Sequence, residues 1–427
     1  MAESRAEKVG RRVPTPPTVS CSVAAAAPWP KVRLGEIYDI PSSNGLSRPS
    51  AVRGEGYRMI NMGELFAHDI ISDIEMERVK MSDKEKAKFL VKEGDLLFAR
   101  QSLVAAGAGK CSIIKNVNEP TTFESHLIRV RLNGDNADSL FYYYYFRLPN
   151  TPIKGIVNQC AQAGIRGRDL EKIQVPLPPL AIQHAIAKRL SAYDNLIENN
   201  TRRIAILERK AEQLYKEWFV RRRLSRHATA PSAALSLGDI IEVSRGLSYT
   251  SSEIDTDAGV QLINLKNIQP YGGFRYDGSK RFDGKYKPDQ IVVHGDLVMG
   301  VTDMTQDRRA VGSVALMPPL KETSVISADL IKIEPKIDKL FLYAMFRYGG
   351  LSRYISQFAN GANVLHLRPQ SIMGIKVQVP SEEAMERLST RLRPMIALMD
   401  NLNEQNALLS RQRDLLLPRL MSGRVKL

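Results

Sequence analysis

The sequence predicts a mixed α+β chain in which two repeated globular domains are separated by an antiparallel coiled coil of two long helices. Three observations lead to this prediction. Six segments of the first half recur in the same order in the second half, short β-type runs and helical segments fill each copy, and each copy ends in a long stretch with coiled-coil spacing. At 427 residues, the chain is long enough for two domains that each bury a core of their own.

The repeat rests on six pairs of similar segments whose order is kept. Leu34 corresponds to Leu237 and Gly94 to Gly295, and all six offsets lie between 200 and 203 residues. Chance similarity would scatter both the order and the offsets, so the pattern indicates a duplicated unit. The pairs are RLGEIYDI and SLGDIIEV, RMINM and QLINL, EGDLLFAR and HGDLVMGV, HLIRV and DLIKI, LFYYYYFR and LFLYAMFR, and LEKIQVPLP and IMGIKVQVP.

The pattern inside each copy predicts the domain boundaries. Runs such as LIRVRL and LIKIEP, bounded by Gly, Asn and Pro, predict strands. SLFYYYYFRL and KLFLYAMFRYGGL predict helices packed on a sheet, although Tyr142–Tyr145 could alternatively stack on nucleic-acid bases. We expect a disordered basic tail over residues 1–29, a domain over 30–178, a long helix over 179–223, a linker over 224–235, a second domain over 236–380 and a second long helix over 381–423.

The two long helices carry apolar residues in alternating steps of four and three, which is the spacing of a coiled-coil seam. Each stripe needs a cover, and the order domain, helix, domain, helix favours an antiparallel pair within one chain. Buried seam asparagines would then fix the register. The alternative is that each helix packs separately on its own domain. The predicted seam residues are Leu190, Ile197, Asn200, Ile204, Leu207, Leu214, Met399, Leu402, Asn406, Leu409 and Leu416.

Helix length and two prolines set the expected ends of the pair. The first helix, from about Ala181 to Phe219, would be ~58 Å long at ~1.5 Å per residue. In the second helix, we expect Pro418 to end the helix and Pro394 either to kink it or to mark its true start, because proline removes a backbone hydrogen bond.

The charge balance indicates a polyanionic partner. The 61 Lys and Arg against 46 Asp and Glu give a net charge of +15, which favours nucleic acid, with plain solubility as the alternative. Three widely spaced cysteines suit a reducing compartment, and we expect a cytoplasmic protein. No apolar run reaches ~18 residues, so we expect no membrane partner.

Candidate DNA contacts cluster in loops rich in Gly, Asn and Gln. Gln and Asn can form two hydrogen bonds to adenine, Arg can do so to guanine, and Lys or Arg can neutralise phosphates. For each residue the alternative is a solvated surface side chain. The candidates are Arg100, Gln101, Lys110, Gln162, Arg166 and Arg168 in the first copy, and Thr302, Gln306, Arg308, Arg309, Asn363, His366 and Arg368 in the second.

The sequence contains no convincing motif for catalysis or for metal binding. GAGKCS at Gly107 is similar to a phosphate-binding loop, but Val104 and Cys111 occupy positions where that motif needs Gly and Ser or Thr. The six histidines form no metal-type cluster. The Gly-Asp pairs at Asp95 and Asp296 are expected to be turns before strands rather than nuclease carboxylates. We expect neither a catalytic residue nor a metal site.

Two variable domains, each followed by a helix with VPLPPLAIQHAIAKRLSAYDNLIENN or DNLNEQNALLSRQRDLLLPRLMSG, resemble the specificity subunit of type I restriction-modification enzymes. The resemblance covers nearly everything from about Trp29 to Gly423. It implies two target recognition domains that each read one half of a bipartite site in double-stranded DNA. It also implies that the paired helices bind two methylation subunits, which in turn recruit restriction subunits for defence against foreign DNA.

The resemblance further implies that this chain has no catalysis and no cofactor of its own. S-adenosylmethionine for DNA methylation, together with ATP and Mg for restriction, would belong to the partner subunits. Outward helix positions would contact those subunits. Two alternatives remain: a coiled-coil scaffold without a DNA role, and a stand-alone nuclease or methyltransferase. The outward candidates are Arg203, Glu208, Lys210, Arg411 and Arg413. Arg413 also occupies a seam position, so its alternative is a residue at the end of the helix.

Overall fold

The computed structural model places the chain in two compact units. Unit 1 consists of Met1–Ala192 and Arg413–Leu427, and unit 2 consists of Tyr193–Gln412. Each unit therefore combines one globular domain with a part of each long helix. The structure describes residues 29–102, 107–159, 163–221, 232–254, 258–276 and 278–423.

The first domain consists of short strands and short helices, and the long helix α5 follows it. The strands are β1 (Lys31–Arg33), β2 (Tyr38–Asn44), β3 (Arg53–Ile60), β4 (Ile70–Ile71), β5 (Glu77–Val79), β6 (Leu96–Ala99), β7 (Gln101–Ser102), β8 (Cys111–Ile114), β9 (Thr121–Phe123), β10 (Leu127–Leu132), β11 (Asn158–Gln159), β12 (Ala163–Gly164) and β13 (Gln174–Pro176). The helices are α1 (Met62–Ala67), α2 (Asp83–Phe89), α3 (Ser139–Phe146), α4 (Gly167–Leu170) and α5 (Leu180–Tyr215).

The elements of the second domain follow the same plan. The strands are β14 (Ser232–Ser236), β15 (Ile241–Arg245), β16 (Val260–Ile263), β17 (Lys280–Phe282), β18 (Ile291–Val292), β19 (Leu297–Gly300), β20 (Thr302–Asp303), β21 (Val314–Leu316), β22 (Ser324–Ile326), β23 (Leu330–Pro335), β24 (Leu365–His366) and β25 (Lys376–Pro380). The helices are α6 (Leu237–Ile240), α7 (Lys339–Arg347), α8 (Leu351–Ser356) and α9 (Glu382–Met421).

Equivalent strands pair in the same way in both domains. The first domain contains a sheet of order β2-β10-β6-β8-β4 and a sheet of order β5-β3-β9; the second contains β15-β23-β19-β21 and β17-β16-β22-β18. The pairs β3–β9 and β16–β22 are parallel, and the pairs β6–β10 and β19–β23 are antiparallel. The mixed α+β fold built from two repeated domains is thus confirmed.

The four consecutive tyrosines belong to the core of the first domain. Helix α3 packs on β8, and Tyr142, Tyr143 and Tyr144 are fully buried. Each buried aromatic ring removes a large apolar area from water. The prediction of a helix packed on a sheet is confirmed: three of the four rings are buried and leave no face for a base, and Tyr145 is half-buried against the same core.

The Gly-Asp turns hold matched ion pairs. Asp95 is fully buried and accepts from Arg131 Nε and Nη2 at 2.7 Å each, while Asp296 lies 3.1 Å from Lys332 Nζ. Each carboxylate also accepts a backbone N–H three residues earlier in the chain. These aspartates are therefore turn residues, as expected, and the charge of each is paired inside its own domain.

The two long helices complete the core of each domain. In unit 1, Leu190 of α5 and Leu417 and Leu420 of α9 belong to the same buried cluster as the first domain. In unit 2, Tyr215 of α5 and Leu388 of α9 belong to the cluster of the second domain. The start of α5 accompanies the end of α9 in unit 1, and the reverse holds in unit 2, so the helices pair in antiparallel orientation. Each helix also packs on the domains. The structure therefore contains both the predicted pairing of the two helices and the packing of helices on domains that was its alternative.

The middle of the pair lies in unit 2 and is polar. Asn200 Nδ2 donates to Asn406 Oδ1 at 3.0 Å and to Gln405 Oε1 at 3.4 Å. Both partners are amides, so a slip of one residue would leave buried donors unpaired. Among the predicted seam residues, Leu190, Asn200, Met399 and Leu402 are buried, and Ile197, Ile204, Leu207, Leu214, Asn406, Leu409 and Leu416 are half-buried.

The two prolines do not limit the second helix in the expected way. Helix α9 begins at Glu382, twelve residues before Pro394, and continues three residues past Pro418. Leu388 and Leu392 are fully buried ahead of Pro394. Burying a leucine stabilises by about 1.5–3 kcal/mol, so two such contacts offset the roughly 3 kcal/mol that an interior proline costs.

Glu208 faces the second domain rather than partner subunits. Its carboxylate accepts from Arg347 Nη2 at 2.8 Å, from Arg347 Nε at 3.1 Å and from the Tyr348 hydroxyl at 2.9 Å. The side chain of Arg347 is only 12% exposed. The expectation that Glu208 points outward for docking is wrong, because α7 carries a buried cation that needs this carboxylate. Arg413 also differs from an outward residue, since it is largely buried and pairs with Asp414.

We expect Glu208→Ala to destabilise unit 2 by about 3–5 kcal/mol, because the buried Arg347 loses its charged partner. The matched control is Glu212→Ala, one helical turn later, where Glu212 pairs with a half-exposed Lys216. An exposed pair of this kind contributes about 0–1 kcal/mol. Urea unfolding of both variants measures the difference, and equal small losses would contradict the assignment of a buried ion pair.

Candidate nucleic-acid interface

A small ribbon of strands organises the predicted DNA contacts in unit 1. Ribbon 1, which consists of β7, β11 and β12, pairs Gln101 with Gly164. Beside it, the N–H of Ile165 donates to the carbonyl of Arg100 at 2.9 Å. These bonds bring Arg100 and Gln101 next to the segment that carries Arg166, although the two stretches are far apart in the sequence.

Basic side chains lie next to ribbon 1 in the sequence. Arg166 and Arg168 are exposed, at the N-terminal boundary and the second residue of α4. Arg100 is half-buried, and its Nη1 donates to the carbonyl of Ser125 at 3.3 Å. Two exposed cations therefore follow directly after the strand that pairs with Gln101, an arrangement that suits contact with a polyanion.

Two predicted DNA contacts of the first copy are not found among the residues beside ribbon 1. Lys110 Nζ donates to the carbonyl of Phe66 at 2.8 Å and lies 3.2 Å from Asp69 Oδ1. Its ammonium is thus engaged inside the domain, which corrects the expectation that it points to DNA. Gln162 lies outside the described residues.

Unit 2 has an equivalent ribbon at the same place in its fold. Ribbon 2, which consists of β20 and β24, pairs Thr302 with His366. The N–H of Leu367 donates to the carbonyl of Val301 at 2.8 Å, as Ile165 does to Arg100 in unit 1. His366 and Arg368 are exposed. Arg368 stands where Arg166 stands in unit 1, one residue before a short helical turn.

One buried carboxylate shapes the loop that follows β20. Asp303 is 4% exposed, and its oxygens accept from the N–H groups of Thr305 and Ala310 at 2.9 and 2.7 Å and from the Thr305 hydroxyl at 2.9 Å. Burial alone would raise the pKa of Asp303, but these backbone donors outweigh burial and hold the pKa below its ordinary value. The loop from 304 to 309 is therefore tied at both ends to one charged group.

This loop carries three of the seven predicted contacts of the second copy, namely Gln306, Arg308 and Arg309. Gln306 Nε2 donates to the carbonyl of Ala362 at 2.9 Å, which joins the loop to the turn before β24. Arg308 donates to Gln357 Oε1 at 3.1 Å. The structure thus gathers around ribbon 2 the exposed or half-exposed residues Gln306, Arg308, Arg309, Asn363, His366 and Arg368.

Thr302 differs from the other candidates because it is buried. Only 6% of its surface is exposed, and its hydroxyl donates to Asp329 Oδ1 at 2.9 Å. The expectation that Thr302 offers its own hydroxyl to DNA is corrected. The group nearest to solvent at this position is the half-buried carboxylate of Asp329.

His126 and Asp329 are the residues that reasoning from sequence missed. His126 is exposed, and its Nδ1 lies 2.8 Å from Gln101 Oε1. The signal for both was present in the repeat, where HLIRV and DLIKI begin with these two residues. In the sequence, a polar residue that directly precedes a buried strand is typical of a turn, and its neighbours in other strands cannot be predicted from this pattern.

Two further searches of the described residues concern metal ions and membranes. Across 29–423, apart from the gaps given above, no group of three His, Cys, Asp or Glu is arranged to hold a metal ion. In the same residues, no helix combines the length and apolar character that a bilayer span requires. Ribbons 1 and 2 present amides, imidazoles and guanidinium groups, which are the groups that bind base edges and phosphates.

Comparison with known proteins identifies related chains along nearly the whole length. Residues 27–209 match the family described as Type I restriction modification DNA specificity domain. The MjaVIII specificity subunit of a type I restriction enzyme from Methanocaldococcus jannaschii is 21% identical over 418 residues, which are 93% of this chain and 93% of that protein. The EcoKI specificity subunit from Escherichia coli is 27% identical over 162 residues, which are 36% of this chain and 34% of that protein.

A solved structure supports the fold. The S subunit of a type I restriction-modification system from M. genitalium aligns with a TM-score of 0.56 at 15% identity, covering 95% of this chain and 99% of that one. At this identity, the match speaks for the fold alone. By sequence, the chain is similar along nearly its whole length to specificity subunits of type I restriction enzymes, and residues 27–209 match the specificity domain of that family.

Proposed function

We propose that this chain gives a type I restriction-modification complex its DNA sequence specificity, with each domain reading one half of a bipartite site. The observation that carries this proposal is the pair of matched ribbons. Both domains present the same strand pairing at the same place in the fold, but with different polar side chains. A common frame with different side chains is what two different half-sites require.

The side chains of the two ribbons match the groups that bases expose. Arg166 and Arg368, at equivalent positions, can each form two hydrogen bonds to a guanine in the major groove. Asn363 near ribbon 2 can do the same with adenine, and the amide N–H groups of Gln101 in ribbon 1 can donate to an acceptor on a base. The net charge of +15 adds the phosphate attraction that any such protein needs.

The test is a selection of bound duplexes from a library with randomised sequence, using the full chain. We expect two preferred half-sites, with Arg166→Ala relaxing one half and Arg368→Ala relaxing the other, each by about 5-fold to 150-fold at the affected base pair. Arg391→Ala, an exposed arginine of α9, is the control and should alter neither half.

Two results would count against the proposed function. A coiled-coil scaffold without a DNA role would show no affinity that falls steeply with salt, whereas phosphate contacts give a log–log slope of several. A stand-alone nuclease or methyltransferase would cut or methylate plasmid DNA with S-adenosylmethionine or Mg added, in the absence of any other subunit.

We expect Asp303→Ala to weaken recognition of the unit 2 half-site by about tenfold or more, because the loop over residues 304–309 loses the acceptor that binds both its ends. The half-site read by unit 1 should not change. Asp303→Asn keeps one accepting oxygen in the same shape and should fall between Ala and the unaltered chain. Duplexes that vary only one half-site measure these effects. An equal loss in both half-sites would show that Asp303 affects general folding instead.

The paired helices offer a surface for protein partners. Leu196, Ile206, Leu398 and Leu408 are between 39% and 54% exposed. Each directly precedes a seam residue, so it lies about 100° from the seam in the same rotational sense. On two antiparallel helices, this places all four on the same side of the pair. An exposed apolar strip of this kind favours a protein interface, and we propose that it binds the methylation subunits.

We expect Ile206→Glu and Leu408→Glu each to weaken binding of the methylation subunit of the same system by about tenfold or more, because a charge would be buried in an apolar contact. Ala205→Glu is the matched control, since Ala205 is exposed on the other side of the same helix turn. Calorimetric titration of the two proteins measures the affinities. Equal weakening by Ala205→Glu would assign the effect to added charge and not to the strip.

The remaining parts of the proposal concern the assembly. The paired helices would set the separation of the two half-sites, and restriction subunits would join through the methylation subunits. S-adenosylmethionine, ATP and Mg would be bound by those partners, which leaves recognition to this chain. The supporting observation is that the described residues present binding groups on ribbons 1 and 2 and an apolar strip on the helices.

A further inference from the structure

The two ribbons share one side-chain position that is built in the same way in both units. In unit 1, Gln101 starts the strand β7, and His126 directly precedes β10. In unit 2, Thr302 starts β20, and Asp329 directly precedes β23. The residues of each pair hydrogen-bond through their side chains, at 2.8 Å in unit 1 and 2.9 Å in unit 2.

The backbone holds both pairs in the same geometry. The N–H of Arg100 donates to the carbonyl of His126 at 2.8 Å, and the N–H of Val301 donates to the carbonyl of Asp329 at 2.8 Å. One backbone hydrogen bond therefore lies directly beside each side-chain bond. This frame is the same in both units, and only the chemistry of the paired side chains differs.

The pair of unit 1 presents a hydrogen-bond donor. An amide oxygen can only accept, so His126 Nδ1 carries the proton in the bond to Gln101 Oε1. This bond leaves the two N–H groups of the Gln101 amide for another partner. Acceptors in the major groove, such as guanine N7 and O6, adenine N7 or thymine O4, match such a donor.

The pair of unit 2 presents an acceptor. The Thr302 hydroxyl donates to Asp329 Oδ1, and Thr302 itself is buried. The half-buried carboxylate of Asp329 keeps further lone pairs that only a donor can use. If this carboxylate meets DNA, the phosphates repel it, and a base that donates a hydrogen bond to it offsets that repulsion. In the major groove, the exocyclic amino groups of cytosine and adenine are those donors.

We propose that these two pairs are specificity-determining positions, and that Asp329 accepts a hydrogen bond from the amino group of a cytosine or adenine in the unit 2 half-site. The proposal rests on the proposed function of the chain. Gln101, held by His126, donates to a groove acceptor at the equivalent position of the unit 1 half-site. Asp329 is thus a contact residue, while Thr302 and His126 orient their partners.

The experiment removes single amino groups from the DNA. The two half-sites are first found by selection with the full chain. Affinity is then measured for duplexes in which each cytosine or adenine of the unit 2 half-site is replaced, one at a time, by an analogue without the exocyclic amino group. We expect one such deletion to weaken binding of the unaltered chain by about 5-fold to 150-fold. Asp329→Ala should be insensitive to that same deletion.

A control separates base contact from charge. Asp307→Asn removes a carboxylate from the same unit, where Asp307 pairs with Arg309 at 2.8 Å. Removing a negative charge from the protein should strengthen its binding to DNA by a similar factor for every DNA sequence. If Asp329→Ala behaves only like Asp307→Asn, and still responds to every amino-group deletion as the unaltered chain does, the contact is disproved.

A reciprocal exchange keeps the test decisive if Asp329→Ala folds poorly. Gln101→Thr combined with His126→Asp should give the unit 1 half-site a new sensitivity to deletion of one amino group. A folded exchange variant without that sensitivity would overturn the proposal. A different result, in which the unaltered chain has no sequence preference in either half-site, would reject the proposed function itself, so the two failures are distinguishable.

Discussion

The antiparallel pairing of α5 and α9 is the constraint on which the rest of the structure depends. Each helix carries an apolar stripe whose exposure to water is unfavourable. Each domain core also includes residues from both helices. In unit 1 the helices add Leu190 and Leu417 to the buried cluster, and in unit 2 they add Tyr215 and Leu388. The polar bond between Asn200 and Asn406 then selects one register out of several that apolar contacts alone would allow.

The domains separate a rigid frame from variable chemistry. Paired charges such as Asp95 with Arg131 and the backbone bonds beside each ribbon are repeated in both copies in the same or similar form. The polar side chains at the ribbons differ in part. Both units have an arginine at the equivalent positions 166 and 368, but Gln101 of unit 1 is replaced by Thr302 in unit 2. A fold can keep its packing while exposed residues such as His366 and Arg368 change, because exposed side chains contribute little to the core.

Several individual residues could not be assigned from the sequence. The sequence predicts Lys110 as a DNA contact, but in the fold its ammonium donates to the Phe66 carbonyl and pairs with Asp69. Glu208 has the spacing of an outward helix position, yet Arg347, 139 residues away, needs its carboxylate. In both cases the deciding partner is remote in sequence, and local pattern carries no information about it.

The sequence by itself determined the duplication, the mixed α+β class and the two seam helices, because repeats and heptad spacing are properties of residue order. It also indicated which loops hold polar side chains. Only the tertiary structure decided which of those side chains face solvent, since strand pairing brings Gln101 to Gly164 and Thr302 to His366. The pairs of Gln101 with His126 and Thr302 with Asp329 likewise depend on strands that meet in space, which no local pattern of residues specifies.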